Sequence, residues 1–341
     1  MLAMHMANEL LSPSVALAFG LMAAVAVGLA SRRTARGLEP AKVPLMGVMG
    51  AFVFAAQMVN FTLLLMPGTS GHLGGGVLLA ILLGPHAATL VMTAVLIIQC
   101  LIFQDGGLLA LGTNIVNMAV LPCYVGYGIF RLIVGGGRGL AGVRLYAASF
   151  VAAMVGVVLG AACVPMEAAL SGVVTVPLRL FVGTMVGVHL IIGAIEGLIS
   201  FAVVAYLWRV RPDAVERAGE LARPGAARAS WPVVVGSLGA VAIVLAGLIS
   251  HVASSRPDGL EWTYADRPDQ ADFKPYVRRP EQGGVVQRVE RWQQRHALLP
   301  DYGGSDAARL TLGGLGGTGL TLVMTYLLAR ALGRRRSAGA A

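Results

Sequence analysis

Charged residues are scarce in this chain: aspartate, glutamate, lysine and arginine make up only 13% of its 341 residues. A soluble domain carries about 25% charged residues, so the scarcity excludes an ordinary soluble protein. Hydrophobic residues make up 56% of the chain, and its mean hydropathy is +0.74. With 45 glycines and 14 methionines, this composition is typical of closely packed membrane helices. The sequence therefore predicts an integral membrane protein.

Two kinds of chemistry are missing as well. Cys100, Cys123 and Cys163 lie in apolar runs without a CxxC spacing, which excludes a disulfide framework and a thiolate metal site. No segment has the GxxxxGK[ST] spacing of a phosphate-binding loop, and the glycine-rich "GGGRGLAG" lacks its lysine and serine or threonine. We therefore expect no ATP hydrolysis by that machinery on this chain, and no catalytic residues are predicted.

Apolar runs long enough for membrane helices recur along the chain. A membrane helix needs about 17 to 25 mostly apolar residues, and nine segments fit an all-α polytopic bundle. The third is short and ends at "GPH", so it and the fourth are expected to form a hairpin that crosses incompletely. The nine predicted spans lie near residues 14–30, 43–66, 73–84, 87–103, 107–131, 143–165, 179–208, 231–251 and 310–332.

Basic residues predict which side each loop faces. The net charge of +9 comes largely from arginines in short segments after the first, fifth, seventh and last spans. With nine spans all four segments fall on one side, which the positive-inside rule makes cytoplasmic. The N-terminus is then outside and the C-terminus cytoplasmic. This pattern accounts for the positive charge, so the charge is no reason to predict nucleic-acid binding. No Lys or Arg precedes Arg32, whereas a signal peptide begins with basic residues, so a signal peptide is disfavoured.

The composition divides the chain into two modules. Residues 1–208 are predicted to form a seven-helix membrane unit, followed by a basic cytoplasmic linker over 209–230. Residues 231–341 are predicted to hold two more spans around an outer loop at about 252–309.

Two histidines are predicted at the outer face. His5 lies in the N-terminal tail, and His72 lies in the glycine-rich "MPGTSGHLGGG". Histidine is the commonest ligand for nickel, copper, zinc and cobalt. Two histidines alone are compatible with solvated side chains as well as with a metal site.

Several ordered motifs resemble a known family. The segments are "MHMANELLSP", "KVPLMGVMGAFVFAAQMVNF", "GTSGHLGGG", "ILLGPHAATLVMTAVLIIQCLIFQDGGLLALGTNIVNM" and "GVHLIIGAIEGLIS", between residue 4 and about residue 208. They resemble the CbiM/NikM family, the substrate-capture (S) components of energy-coupling-factor (ECF) importers for cobalt and nickel. The resemblance implies metal ligands at Met4, His5 and His72. An amine, an amide and an imidazole from one Met-His dipeptide would form fused chelate rings, which suit nickel(II) or copper(II).

The tripeptide "MLA" before Met4 departs from the family pattern, in which the chain begins Met-His. Met4 has a free amine only if translation starts there or the tail is trimmed. Alternatively, the amides of Met4 and His5 replace the amine. We expect a start at Met4.

Polar residues near these histidines are candidates for orienting them. Asn60, Gln104 and Asn114 are the best candidates in a larger set of polar residues in or beside apolar helices. Interhelical hydrogen bonding is the alternative role. His189 and Glu196 share a helix face in the seventh span, and we expect a structural or partner-facing role for them.

The second module resembles the CbiN/NikN type, because "PDGLEW" is followed much later by "LPDY". This resemblance implies help in loading metal, and Asp258 and Glu261 could attract a cation. An outer loop that packs on the bundle is the alternative.

The sequence predicts the metal-capture component of an ATP-driven importer, with Ni²⁺ as substrate and Co²⁺ as the alternative. The resemblance implies a transmembrane T component and cytoplasmic ATPases as separate partners, within the lipid of the cell membrane. A stand-alone permease would predict inverted repeats or a chain of ionisable residues, and neither is evident. A membrane metalloenzyme would need an acid or base of the HExxH type, which the sequence lacks.

Overall fold

A computed structural model gives the structure of residues 5–40, 42–135, 142–215, 229–264, 276 and 284–338, which are the described residues. They are mostly helical, because backbone in lipid must satisfy its hydrogen bonds within its own segment. A short hairpin pairs strands β1 (Phe61–Thr62) and β2 (Ser70–Gly71) antiparallel. The helices are α1 (Pro13–Gly37), α2 (Lys42–Gln57), α3 (Gly76–Leu83), α4 (Pro85–Phe103), α5 (Leu111–Val134), α6 (Gly142–Ser171), α7 (Leu178–Val210), α8 (Trp231–Gly247), α9 (Gly259–Tyr264), α10 (Val285–His296) and α11 (Ala307–Ala338).

Seven helices in the described part of the chain are long and apolar enough to cross a membrane: α1, α4, α5, α6, α7, α8 with its extension to Val252, and α11. The polytopic helical membrane fold is thus confirmed. The helix α2 has 16 residues and α3 only eight. The count of nine crossings and the sidedness of the two termini stay predictions.

The predicted span 43–66 is wrong in its extent, because α2 ends at Gln57. The following apolar residues belong to the β hairpin, in which the amide of Leu63 donates to the carbonyl oxygen of Thr69 over 3.1 Å. Leu64 and Leu65, which suggested a continuing helix, are 89% and 79% exposed in the loop of this hairpin. The hairpin satisfies the backbone locally, so a long apolar run does not require a long helix.

The short helix α3 carries the chain into the centre of the bundle. A single residue, Gly84 with φ +82°, joins α3 to α4. Eight helical residues rise about 12 Å, whereas the nineteen of α4 rise about 28 Å. The segment 72–75 that leads into α3 therefore lies within the bundle rather than on its rim.

The N-terminal segment and several loops meet at one end of the bundle. The amide of Ser254, after α8, donates to Asn60 over 2.7 Å, and the amide of Thr175, after α6, donates to Tyr276 over 2.8 Å. These are segments that the basic residues predict to be outside. The module boundaries at 1–208, 209–230 and 231–341 stay predictions, and residues 216–228 of the linker lie outside the described part of the chain.

Candidate metal centre

The structure brings together the two histidines that the sequence selects. The ring centroids of His5 and His72 lie 5.5 Å apart, with an angle of 63° between the planes. His5 is buried, at 3% exposure, although it lies near the N-terminus. Met4, the third predicted ligand, lies outside the described residues. The predicted pair thus forms one cluster, and the ligand assignment itself stays a prediction.

Backbone pairing holds the N-terminal segment in this place. Asn114 accepts from the amide of Met6 over 3.0 Å and donates to the carbonyl oxygen of Met6 over 3.2 Å. The amide of Gly107 also donates to that oxygen, over 2.9 Å. Gly106 has φ +87°, and a Cβ there would lie 2.9 Å from that of His5. Asn114, one of the predicted orienting residues, therefore positions the backbone beside His5.

Asp105 orients the His5 ring. Its Oδ1 lies 2.9 Å from His5 Nδ1, and its Oδ2 accepts a 2.7 Å hydrogen bond from the Tyr302 hydroxyl. Burial disfavours the charged form of Asp105, but its electrostatic interaction with His5 and the hydrogen bonds from His5 and Tyr302 outweigh it and lower the pKa of this carboxyl.

The contact with Asp105 determines which nitrogen of His5 is available. An ionised carboxylate only accepts hydrogen bonds, so Nδ1 carries the hydrogen and Nε2 of the neutral ring carries the lone pair. That Nε2 is buried and has no hydrogen-bond partner among the described residues. A metal ion would satisfy such an atom, and a carboxylate behind a ligating histidine is a common arrangement in metal sites.

His72 is positioned by the loop that precedes α3. Its Nδ1 lies 3.1 Å from the carbonyl oxygen of Leu73, which again assigns the hydrogen to Nδ1 and the lone pair to Nε2. Glu196, near the middle of α7, accepts from the amides of Gly74 over 2.7 Å and Gly75 over 3.0 Å. Glu196 thus binds the loop that precedes α3, and the structural or partner-facing role expected for it stays a prediction.

A cavity of about 90 Å³ lies beside the two histidines. This is room for several water-sized groups around an ion. Besides His5 and His72, its polar walls include Asn114, Asn117, His189, Glu196 and Asp258.

Two of the predicted orienting residues lie away from the cavity. Asn60 is buried and binds the second module through its carbonyl oxygen. Gln104 has φ +57° and directly precedes Asp105. Neither residue is among those that line the cavity.

The second module closes over the cavity through its PDGLE segment. The carbonyl oxygen of Pro257 accepts from the amide of Ser70 over 2.8 Å, next to the loop of His72. Asp258 accepts from the amide of Glu261 over 2.8 Å, and burial raises the pKa of Asp258 to about 6. Asp258 therefore adds a carboxylate from the second module to a cavity that the first module builds.

Sequence reasoning underrated or missed three of these side chains. The sequence predicts for Asp258 and Glu261 only that they could attract a cation, and Asp105 is one of a larger set of polar residues in or beside apolar helices; the fold brings Asp105 to His5 and Asp258 to the cavity. Tyr302 is the last residue of the "LPDY" motif of the second module, but the sequence does not predict its contact with Asp105, which joins residues 197 positions apart.

Comparisons with known proteins agree with this arrangement. The family model CbiM, "Cobalt uptake substrate-specific transmembrane region", matches residues 5–214, and the PDGLE domain matches residues 233–334. A fused nickel transport protein NikMN of Archaeoglobus fulgidus is 32% identical over 96% of this chain and 98% of its own length. The NikMN protein of Rhodobacter capsulatus is 31% identical over 88% of both chains.

A solved structure shares the fold of more than half of this chain. A crystal structure described as a truncated transition metal transporter is 30% identical to this chain, with a TM-score of 0.53. The match covers 60% of this chain and 97% of the other. The chain therefore belongs to the CbiM family, followed by a PDGLE domain, and is a nickel/cobalt transport component of the membrane.

Proposed function

We propose that this protein is the substrate-binding membrane component of an ATP-driven ECF-type importer and that it captures nickel at the outer face. The observation that carries this proposal is the buried Nε2 of His5, unpartnered among the described residues and next to His72 and a polar cavity. A buried polar atom without a hydrogen-bond partner lowers the stability of the fold, so a purely structural role does not explain it. A ligand that arrives from outside accounts for it.

The proposed ligands are nitrogen atoms of Met4, His5 and His72. A chelate ring closed by the amide of His5 uses Nδ1 of the same residue, which in this structure faces Asp105. Chelation through Nδ1 would therefore require the imidazole to turn away from Asp105. In this structure the carboxylate lies behind the imidazole, and Nε2 is the ring nitrogen left for the metal.

Nickel is favoured over cobalt for two reasons. Relatives that match nearly the whole chain are named as nickel transport proteins. Several nitrogen donors from one dipeptide also suit the tetragonal coordination that nickel(II) adopts readily. Cobalt is the competing substrate, since the family model is named for cobalt uptake.

Transport would require other chains. The sequence has no phosphate-binding loop, so ATPases and a transmembrane T component would supply the energy and the reorientation that releases the metal inside.

The test is metal binding by the purified protein and its histidine variants. We expect roughly one nickel ion per chain, with cobalt bound more weakly when titrated separately. His5→Ala and His72→Ala should each abolish binding, whereas His296→Ala, on an exposed helix face, should not. The intact mass of the same sample shows whether Met4 is the first residue.

Retention of nickel by both site variants would exclude the proposed site. If the purified chain keeps Met1 and still binds nickel, Met4 has no free amine, and a backbone amide must be the ligand in its place. Tighter binding of cobalt than of nickel would reverse the assignment of the substrate.

A further inference from the structure

A chain of hydrogen bonds links the second module to the proposed metal ligand. The Tyr302 hydroxyl donates to Oδ2 of Asp105 over 2.7 Å, and Oδ1 of Asp105 lies 2.9 Å from His5 Nδ1. Tyr302 belongs to the segment between α10 and α11, whereas Asp105 and His5 belong to the first module. The three side chains are buried, at 6% exposure or less. A residue of one module thus reaches a ligand of the other through a single carboxylate.

Packing holds the Tyr302 ring independently of its hydroxyl. The ring stacks on Phe103 with centroids 4.6 Å apart, and it meets Phe54 edge-on at 6.1 Å. The backbone of Asp301 and Tyr302 is left-handed, with φ of +50° and +56°. This conformation is uncommon for residues other than glycine and is kept where the surrounding structure imposes it. Loss of the hydroxyl should therefore leave the ring in place.

The hydroxyl has a specific effect on the carboxylate. A carboxylate can rotate about its Cβ–Cγ bond, and donors at both oxygens restrict that rotation. With Oδ2 held by Tyr302, Oδ1 faces His5, and the direction of the remaining His5 nitrogen is determined. Such outer partners typically change metal affinity 10- to 100-fold.

We propose that Tyr302 is a positioning residue through which the second module sets the metal affinity of the first. The proposal rests on the proposed function, since it requires His5 to be a metal ligand. According to this proposal, the second module changes the equilibrium affinity of the site for the metal ion.

A double-mutant cycle tests the proposal on the full-length protein. Nickel is titrated into the wild type, Tyr302→Phe, Asp105→Asn and the double variant, and the absorption bands of bound nickel are recorded. We expect Tyr302→Phe to weaken binding about tenfold and to shift the bands. In the Asp105→Asn background the same change should weaken binding less than about twofold, because the carboxylate through which the hydroxyl acts is gone.

Two controls separate the possible outcomes. Tyr206→Phe removes a hydroxyl that lies 3.4 Å from Ser237, away from the site, and should alter neither affinity nor bands. His5→Ala reports on the proposed function: if His5→Ala binds like the wild type, the proposed function fails. If His5→Ala abolishes binding but Tyr302→Phe binds like the wild type, only this inference fails. An equal loss in both backgrounds, or failure of Tyr302→Phe to fold, would assign the hydroxyl to stability and overturn the inference.

Discussion

At the scale of single residues, the buried carboxylates explain how the site is held in so apolar a protein. Burying a charge is costly unless hydrogen-bond donors surround it. Asp105 has His5 and Tyr302, Glu196 has the amides of Gly74 and Gly75, and Asp258 has the amide of Glu261. Each carboxylate therefore binds a different segment of the cavity wall.

Asp258→Asn should weaken nickel binding at least about tenfold, because one unit charge within about 10 Å of a divalent ion contributes more than about 1.4 kcal/mol at an effective dielectric constant of about 20. Asparagine keeps an oxygen for the amide of Glu261, so the start of α9 should be preserved. Calorimetric titration with nickel measures the change. Asp258→Ala removes both the charge and the hydrogen bond, and equal affinity in Asp258→Asn and the wild type would exclude an electrostatic role.

The residues of the site differ in how far the sequence predicts them. His5 and His72 belong to motifs that resemble a known family, so the sequence alone is enough to select them. Asp105 is adjacent to the selected Gln104, and nothing local distinguishes the two. Tyr302 belongs to the "LPDY" motif, but its role could not be predicted, because that role arises from a contact between distant segments.

At the scale of elements, the amphipathic helix α10 connects the N-terminal segment and the loop between α4 and α5 through one buried side chain. The Gln293 amide donates to the carbonyl oxygens of Cys100, over 3.0 Å, and Gly106, over 2.7 Å. Its Oε1 accepts from Asn8, over 3.0 Å, and from the amide of Leu108, over 3.1 Å. A single glutamine thus joins the N-terminal segment to the loop that carries Asp105.

Gln293→Leu should loosen the N-terminal segment. Each buried group left without its partner costs about 1–3 kcal/mol, so local opening should become at least about tenfold more frequent. Hydrogen exchange over residues 5–11 and 104–110 measures it. Gln294→Leu, on the exposed side of α10, is the matched control. Unchanged exchange in Gln293→Leu would show that the segment is held by other contacts.

The helices themselves follow from hydropathy, which predicts the seven long apolar segments well. The end of α2 does not follow from hydropathy, because the apolar residues after Gln57 enter a hairpin whose partner strand comes later in the chain. Hydropathy predicts whether a residue prefers an apolar environment, but it does not predict which backbone hydrogen bonds that residue makes.

At the scale of the whole molecule, the two modules share one helical core. The helix α11 packs against α2 through small residues: a Cβ at Gly50 would lie 2.9 Å from the hydroxyl of Thr325, and Gly47 lies against Tyr326. The helix α8 reaches α2 on another side, where Gly239 faces Val48. Close approach at small residues is a main source of helix association in membranes.

Cutting the chain in the linker should therefore leave the modules together. A protease site placed within residues 216–228 allows the purified protein to be cleaved. We expect the two pieces to elute together in detergent and to bind nickel as the uncut protein does, because the contacts of α2 with α8 and α11 do not depend on the linker. Separation of the pieces on gel filtration would show that the covalent link is required.

The short helix α3 has a consequence for the electrical properties of the membrane. Its sequence, "GVLLAILL", has no polar side chain; all eight residues are buried, and Gly76 at its start lines the cavity. Transfer of even a monovalent ion into such a medium carries an idealised cost of about 20 kcal/mol. A metal ion held in the cavity, as we propose, would therefore be separated from the Gly84 end of α3 by apolar side chains alone. Under that proposal, the metal-loaded protein at rest would offer no conducting path along α3 that could dissipate the membrane potential.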